Sequence, residues 1–210
     1  MSNLDVPGTH DSLEFDPPAN VLLLSPSMSN RARDVCPTAD TSEKSGLLLV
    51  SLDGKPDTRL DGWRQTRELP ETIGVVTWDE ARGAVGVQQP STTMTLPGPE
   101  ETTVSVTTVT GPDDLTGIGI KVSQCLSAWA TSEKQATMCF DSVTTMLQYV
   151  DRTRALRFLD ALTSRIEQVD GVAYYHIDPT AHDEETLEAI RKLFSHVRKF
   201  DPETGEWNPA

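Results

Sequence analysis

Short apolar runs that alternate with amphipathic helical segments constrain the fold of this chain most strongly. The runs Val21–Leu24 and Leu47–Val50 each end in turn-forming residues, as strands covered on both faces do. Further strands are predicted over Thr72–Asp79 and Thr103–Val109. Strands that alternate with helices form a mostly parallel sheet with helices on both faces. The sequence therefore predicts a three-layer α/β domain.

The second half of the chain shows the clearest helical periodicity. Apolar residues three and four positions apart predict a helix from Leu115 to Trp129 and another from about Arg152 to Val169. A last long helix is expected after Asp183, with its apolar positions continuing to Val197. The segments Val197–Asp201 and Glu206–Asn208 are also predicted to form a final strand or hairpin. The buried strand Ala136–Phe140 lies between the first two helices. In sheets of this kind ligands bind at the carboxyl ends of the strands, so a site is expected there.

The domain organisation follows from composition and periodicity. Residues 1–19 are polar and aperiodic and are predicted to form a flexible leader. Residues 20–200 form the α/β domain, and residues 201–210 form a tail or a short edge strand. The segment 84–101 is rich in Gly, Pro, Gln and Thr and is predicted to be a loop.

The charge balance excludes some partners. The chain has 32 acidic and 18 basic residues, with a net charge of −14. Such a chain repels phosphates and anionic lipids, so direct contact with nucleic acid or a membrane is not expected. Acidity spread along the whole sequence is typical of proteins from a salt-rich cytoplasm, which predicts a halophilic source.

The termini and cysteines give two smaller expectations. The first residues lack the basic and apolar regions of a signal peptide, and no apolar run is long enough to cross a membrane. A cytoplasmic protein is therefore expected. Cys36, Cys125 and Cys139 are far apart in the sequence. Because Cys125 and Cys139 lie among apolar residues, they are predicted to be small core residues rather than ligands or disulfide partners.

Asp141 and Ser142 follow a buried strand and form the first candidate site. An acidic residue at the end of such a strand, followed by a helix, is typical of a Walker B strand that binds the Mg²⁺ of a nucleotide. The same pattern is also an ordinary helix N-cap. The residues alone leave both interpretations open.

The segment from Ala136 to Phe200 resembles the second half of a RecA-type domain of the KaiC family. In that family a strand ending in Asp-Ser is followed by helices, a further strand and a last helix. The blocks GPDDLTGIGI and YYHIDPTAHDEET also resemble a haloarchaeal group of KaiC/GvpD-like proteins of unknown function. The resemblance extends over roughly Asn20 to Phe200 and implies a RecA/KaiC-like domain of the P-loop NTPase superfamily. Its strand order implies that the strand of His176 neighbours the strand of Asp141.

The loop after the first strand departs from the P-loop motif GxxxxGK[ST] of that superfamily. The sequence SPSMSNRARDV has neither its glycines nor its lysine, and Pro26 lacks an N–H that a phosphate nest would use. At the end of the next strand the family has two catalytic acids, and here Asp53 is followed by Gly54. This degenerate Walker A region disfavours ATP hydrolysis, so no catalytic residue is assigned. Vestigial nucleotide contacts, if any, are expected from Ser27, Ser29, Asn30, Arg31, Asp53, Asp141 and Ser142.

A second candidate site lies at the end of the strand that contains His176. Nitrogen and oxygen ligands for a divalent metal are grouped within eight residues, at His176, Asp178, His182 and Asp183. The alternative is structural, since Asp178 precedes a proline in a turn and Asp183 can cap the last helix. His176 is the member of this group most expected to be functional, because its strand neighbours that of Asp141 in the RecA order.

The residues and the resemblance together predict a non-catalytic regulatory or scaffolding protein of haloarchaeal signalling. It would act through protein partners, and the side-by-side packing of RecA-type domains implies a homo-oligomer. No cofactor is expected. The alternative is a nucleotide- or metal-binding enzyme with a remodelled pocket around Asp141 and His176, which would bind ATP–Mg²⁺ or a divalent metal.

Overall fold

The computed structural model describes residues 13–27, 44–53, 56–66, 69–78, 92–96 and 102–210. These residues form nine strands and five α-helices. The strands are β1 (Ala19–Leu24), β2 (Ser45–Ser51), β3 (Thr72–Trp78), β4 (Thr92–Leu96), β5 (Thr102–Val109), β6 (Gln135–Asp141), β7 (Val172–Ile177), β8 (His196–Phe200) and β9 (Trp207–Pro209). The helices are α1 (Pro56–Thr66), α2 (Leu115–Thr131), α3 (Val143–Tyr149), α4 (Arg152–Gln168) and α5 (Glu184–Arg191).

All nine strands belong to one sheet, in the order β4-β5-β3-β2-β6-β7-β1-β8-β9. Pairing is parallel from β5 through β8, while β4 and β9 run antiparallel to their neighbours at the two edges. The predicted α/β fold with a mostly parallel sheet is confirmed. The strand of His176, β7, pairs with β6 as expected.

The centre of the sheet is covered on both faces. Every residue of β1, β2 and β7 is buried, which requires apolar layers above and below these strands. On one face the core contains residues of α2, α3, α4 and α5 packed around Phe140 and Tyr175. On the other face Leu60 and Trp63 of α1 pack with Leu13 and Trp207. The described helices therefore form layers on both sides of the sheet.

Side-chain caps fix where most of the helices begin. The carboxylates of Asp114, Asp151 and Asp183 and the hydroxyl of Ser142 each accept a hydrogen bond from a backbone N–H three residues further on. Each cap satisfies one of the N–H groups that the first turn of a helix leaves without a partner. The predicted cap at Asp183 is confirmed. No described helix is both long enough and apolar enough to cross a bilayer.

Two elements differ from the sequence-based expectation. The last helix, α5, ends at Arg191, and Val197 belongs to β8, which pairs with the open edge of β1. The final hairpin that the sequence predicts is present as β8 and β9. Pairing of the β1 edge leaves fewer backbone groups without partners than a longer helix would. Within the predicted loop 84–101, the described residues Thr92–Leu96 form β4 against β5. Threonine favours such a strand because it is β-branched.

The ends of the domain also contribute to the sheet and its core. Leu13, within the predicted leader, is buried, and its carbonyl accepts a hydrogen bond from the Tyr174 hydroxyl at 2.8 Å. At the other terminus, β9 is an edge strand that pairs with β8. Residues 1–12 lie outside the described residues.

The described cysteines differ from each other. Cys125 is free and half-buried, and burial raises the pKa of its thiol to about 12. Cys139 is buried and disulfide-bonded, so the expectation that it is only a small core residue is wrong. Its neighbourhood in β6 is apolar, as the sequence indicated, but an apolar neighbourhood does not distinguish a thiol from a disulfide.

Gly46→Ala tests the packing of α2 on the sheet. A Cβ at Gly46 would lie 2.8 Å from the indole ring of Trp129, which is itself buried. We expect urea unfolding to show a loss of about 1–3 kcal/mol, because the ring has to shift within a packed core. Gly119→Ala is the control, since its Cβ would meet Phe158 at 3.7 Å and alanine favours the helix. Equal losses in both variants would contradict this account.

Candidate functional site

Four adjacent strands end in polar side chains on one face of the sheet, and we name this set the polar row. It consists of Thr77 in β3, Ser51 in β2, Asp141 in β6 and His176 in β7. Ser51 is in register with both Thr77 and Asp141, and the pairing of β6 with β7 continues the row to His176. All four residues are buried. The polar row lies at the carboxyl ends of the strands, where parallel α/β sheets bind ligands.

The polar row faces α1. The residues two positions earlier in these strands, including Cys139 and Tyr174, belong to the core layer that contains Trp63 of α1. Side chains alternate between the two faces of a strand, so Asp141 and His176 share that face. The sequence placed both residues at strand ends, and the structure brings them together on neighbouring strands.

Arg59 of α1 forms a buried ion pair with Asp141 of the polar row. Its Nη2 donates to Oδ2 of Asp141, and the two side chains are only 8% and 4% exposed. The guanidinium also lies 6.0 Å from the centre of the Trp63 ring. A carboxylate this deeply buried requires a partner, because an unpaired charge there is costly. The charge of Asp141 is therefore balanced by a cation of the same chain.

The sequence analysis did not identify Arg59. This residue lies four positions before Trp63, so both side chains are on the same side of α1. An arginine within the apolar side of a short helix was the one local signal for a buried partner. The identity of that partner had no local signal, because Asp141 is 82 residues further along the chain.

Ser142 has a local structural role. Its peptide bond to Asp141 is cis, and its hydroxyl accepts a hydrogen bond from the N–H of Thr145 at 3.1 Å. Of the two interpretations of the Asp-Ser pair, the helix cap holds for Ser142. Asp141 does not cap α3, since its carboxylate binds Arg59.

Asp53 extends the polar row beyond the end of β2 through a hydrogen bond from Ser51. The Ser51 hydroxyl donates to Oδ1 of Asp53 at 2.7 Å, and the Thr77 hydroxyl donates to the carbonyl of Ser51 at 3.2 Å. Asp53 is thus joined through Ser51 to the row that contains Asp141. The other predicted nucleotide contacts at Ser29, Asn30 and Arg31 lie outside the described residues.

Asp178 joins the end of β7 to the turn after β1. Its Oδ2 accepts from the N–H of Ser27 at 2.7 Å, and its Oδ1 accepts from the N–H and hydroxyl of Thr180 at 2.9 and 2.7 Å. Partial burial acts to raise the pKa of Asp178, but these hydrogen bonds outweigh it and lower the pKa to about 2. The Asp178 carboxylate is thus the hydrogen-bond acceptor for the backbone N–H of Ser27, just after the end of β1.

Thr144 of α3 connects the same region to His182. Its hydroxyl accepts from the N–H of Asp178 at 2.8 Å and lies 3.1 Å from Nε2 of His182. Burial lowers the pKa of His182, although the charges of Asp178 and Asp183 oppose this. These contacts fix the turn between β7 and α5.

The four residues of the predicted metal cluster are distributed among different roles. Asp183 accepts a hydrogen bond from the N–H of Thr186 at 2.7 Å and caps α5. Asp178 instead accepts hydrogen bonds from Thr180 in its own turn and from the N–H of Ser27. His176 is buried in the polar row. Among the described residues, no group of three or more His, Cys, Asp or Glu side chains is placed to hold a metal ion.

The fold and the site define a mostly parallel α/β protein whose carboxyl-edge site contains an internal ion pair. The chain belongs to a family of unknown function, DUF7504, whose family model matches residues 18–198. No curated protein matches the sequence.

Two solved structures from Pyrococcus horikoshii have a similar fold. One is the protein PH0250 of strain OT3, with a TM-score of 0.55 and 10% identity over 93% of this chain and 94% of that chain. The other is the uncharacterized protein PH0321, which was crystallised in complex with an unknown peptide. Its TM-score is 0.53, with 11% identity over 91% of this chain and 80% of that chain. Identities this low support similarity of fold alone.

Asp178→Asn tests the contact between β7 and the turn after β1. The folded pKa of Asp178, about 2, lies below its ordinary value of 3.8, so its ionised form stabilises the fold. This contribution is present above about pH 4 and is lost as the pH falls through about 2. With allowance for solvent screening, we expect the variant to lose about 1 kcal/mol at neutral pH.

Urea unfolding of both proteins between pH 7 and pH 2 measures this effect. The difference between wild type and Asp178→Asn should shrink toward zero at the acidic end. Thr180→Val removes one donor to the carboxylate and should give a smaller loss with the same pH dependence. A difference that does not change with pH would rule out the ionised carboxylate as its source.

Proposed function

We propose that this chain is a non-catalytic RecA/KaiC-like regulatory or scaffolding protein of haloarchaeal signalling that acts through protein–protein contacts. The buried Arg59–Asp141 pair carries the proposal. In a nucleotide site of this type, the acid at the end of the strand binds the Mg²⁺ of the bound nucleotide. Here the carboxylate of Asp141 instead binds the guanidinium of Arg59, which balances its charge.

The contact between Asp178 and Ser27 supports the same proposal from the opposite side of the site. A phosphate-binding loop presents backbone N–H groups after the first strand to the anion. In this chain the N–H of Ser27 donates to the Asp178 carboxylate at 2.7 Å. The guanidinium of Arg59 thus lies beside Asp141 where a Mg²⁺ ion would bind, and the Asp178 carboxylate lies beside the N–H of Ser27 where a phosphate would bind.

The strand order and the charge support the family assignment within this proposal. β7 lies between β1 and β6, which is the neighbourhood that the RecA-type resemblance implies for His176 and Asp141. The net charge of −14 suits a protein that works in concentrated salt, where repulsion between acidic groups is screened over about 3 Å.

Ligand-dependent thermal melts test the proposed absence of nucleotide chemistry. The wild-type chain in high salt should show no change in Tm with ATP–Mg²⁺, Mn²⁺ or Zn²⁺, and no release of phosphate. A ligand at 100-fold excess over its Kd would add about 2.7 kcal/mol of stability and would be easily detected. A clear stabilisation that is lost in Asp141→Asn would overturn the non-catalytic proposal.

One observation favours the alternative, a nucleotide- or metal-binding enzyme with a remodelled pocket. Asp141 and His176 lie on the same face of neighbouring strands, and Ser51 extends the row at the carboxyl edge. A ligand that displaced Arg59 would meet these side chains. This alternative predicts a ligand-induced rise in Tm that requires both Asp141 and His176, so His176→Gln should abolish it as completely as Asp141→Asn.

Arg59→Met tests whether the ion pair balances Asp141. The variant leaves a buried carboxylate without its cation, and we expect a loss of about 3–5 kcal/mol in urea unfolding. The double variant Arg59→Met/Asp141→Leu removes both charges and should recover most of that loss. Arg64→Met on the same helix is the control, because its contact to Asp61 lies at the surface, at 3.7 Å. A double variant as unstable as Arg59→Met would contradict the pairing.

A further inference from the structure

The disulfide bond of Cys139 lies at the centre of the sheet. Cys139 belongs to β6, the middle strand of the nine, and it is 0% exposed. It is in register with Leu49 of β2 and Tyr174 of β7, and both of these residues are buried. Because Cys139 is enclosed by its own chain, its disulfide partner belongs to the same chain.

The sequence leaves one cysteine for this bond. The chain contains three cysteines, Cys36, Cys125 and Cys139. Cys125 is free, and it packs on the opposite face of the sheet, with the core that contains Phe140. An intramolecular disulfide at Cys139 therefore requires Cys36, which lies outside the described residues in the connection between β1 and β2.

The direction of the chain connections indicates on which face each of them lies. A crossover between parallel strands of one sheet is right-handed in nearly all proteins. The step from β2 to β3 runs in one direction along the sheet, and its helix α1 covers the face of Cys139. The steps from β5 to β6, from β6 to β7 and from β7 to β8 run in the opposite direction, and their helices cover the other face. All four crossovers therefore have the same hand.

The step from β1 to β2 runs in the same direction as the step from β2 to β3. To have the same hand as the other crossovers, it has to cross the sheet on the face of α1. It also has to pass β7 and β6, which separate β1 from β2. Cys139 of β6 packs on that face with Trp63 of α1. The handedness of the fold and the cysteine count thus indicate the same pairing independently.

We propose that Cys36 and Cys139 form a disulfide that ties the connection after β1 to the centre of the sheet, and that the folded chain shields this bond from reduction. Asp141 is two residues beyond Cys139 in β6 and shares its face, so the bond lies beside the polar row. The inference goes beyond the proposed function and does not depend on it, because it concerns a covalent bond and not a ligand.

The chemistry of reduction explains the shielding. A thiolate of a dithiol reductant attacks one sulfur, and the other cysteine leaves as a thiolate. The second thiol of the reductant then forms the reductant's own disulfide and releases the first cysteine, so both cysteines end as thiols. Burial of Cys139 blocks attack at its sulfur. Attack at Cys36 would leave a charge on Cys139 among apolar side chains, which disfavour it.

Peptide mapping of the full chain, purified without reductant, tests the pairing. Alkylation in denaturant should label Cys125 alone. Trypsin should then release one cross-linked pair of peptides, residues 34–44 and 135–152, and this pair should be absent from Cys36→Ser. Cys125→Ser is the matched control and should retain the cross-link. Labelling of all three cysteines in the wild type, or a cross-link between other peptides, would overturn the pairing.

Thiol labelling after exposure to dithiothreitol tests the shielding. The wild type is incubated with excess dithiothreitol either folded or in guanidinium, the dithiothreitol is removed, and the chain is alkylated in denaturant. The folded sample should carry label on Cys125 alone, whereas the unfolded sample should carry it on every cysteine. Equally fast reduction of both samples would overturn the shielding.

Thermal melts test whether the bond constrains the chain. Cys36→Ser should lower the Tm by roughly 10–15 °C, because the unfolded chain regains the freedom of a loop of about 100 residues. Cys36→Ser melted with dithiothreitol is the control and should have the same Tm as without it. A Tm of Cys36→Ser equal to that of the wild type would contradict the proposed tie.

Discussion

Burial of the central strands on both faces is the constraint on which the rest of the structure depends. Every residue of β1, β2 and β7 is buried, so these strands can accommodate few polar side chains along their length. Apolar layers are required above and below, which the helices supply. Buried polar side chains of the strands consequently lie near the strand ends, and the buried aspartate and histidine, Asp141 and His176, lie at the carboxyl edge in one row with Ser51 and Thr77.

The Arg59–Asp141 pair shows how the chain accommodates a charge at that edge. Both side chains are nearly inaccessible, so each has lost most of its hydration. A buried pair of this kind adds little net stability compared with apolar residues of similar size, whereas removal of one partner is strongly destabilising. We therefore interpret the pair as a positional constraint. It places α1 over the end of β6 and prevents the carboxylate of Asp141 from remaining unpaired.

Features encoded by local sequence were predictable, and features that depend on distant residues were not. The strand Leu47–Val50 and the cap at Asp183 were identified because apolar runs and capping residues act within a few positions. The ion pair was missed because its members are 82 residues apart. The predicted end of α5 was wrong because residues 196–200 form β8 against the free edge of β1. Helical periodicity in the sequence does not indicate that pairing.

The strength of the internal contacts determines what a ligand would have to overcome. A cation that approached Asp141 would have to separate it from Arg59 and leave the guanidinium buried without its carboxylate. Breaking a buried pair in this way costs about 3–5 kcal/mol, which corresponds to a loss of roughly 10²- to 4 × 10³-fold in affinity. An otherwise micromolar nucleotide site would then bind only at about millimolar concentration. The contact that fixes α1 on the sheet therefore also opposes ligand binding at the polar row.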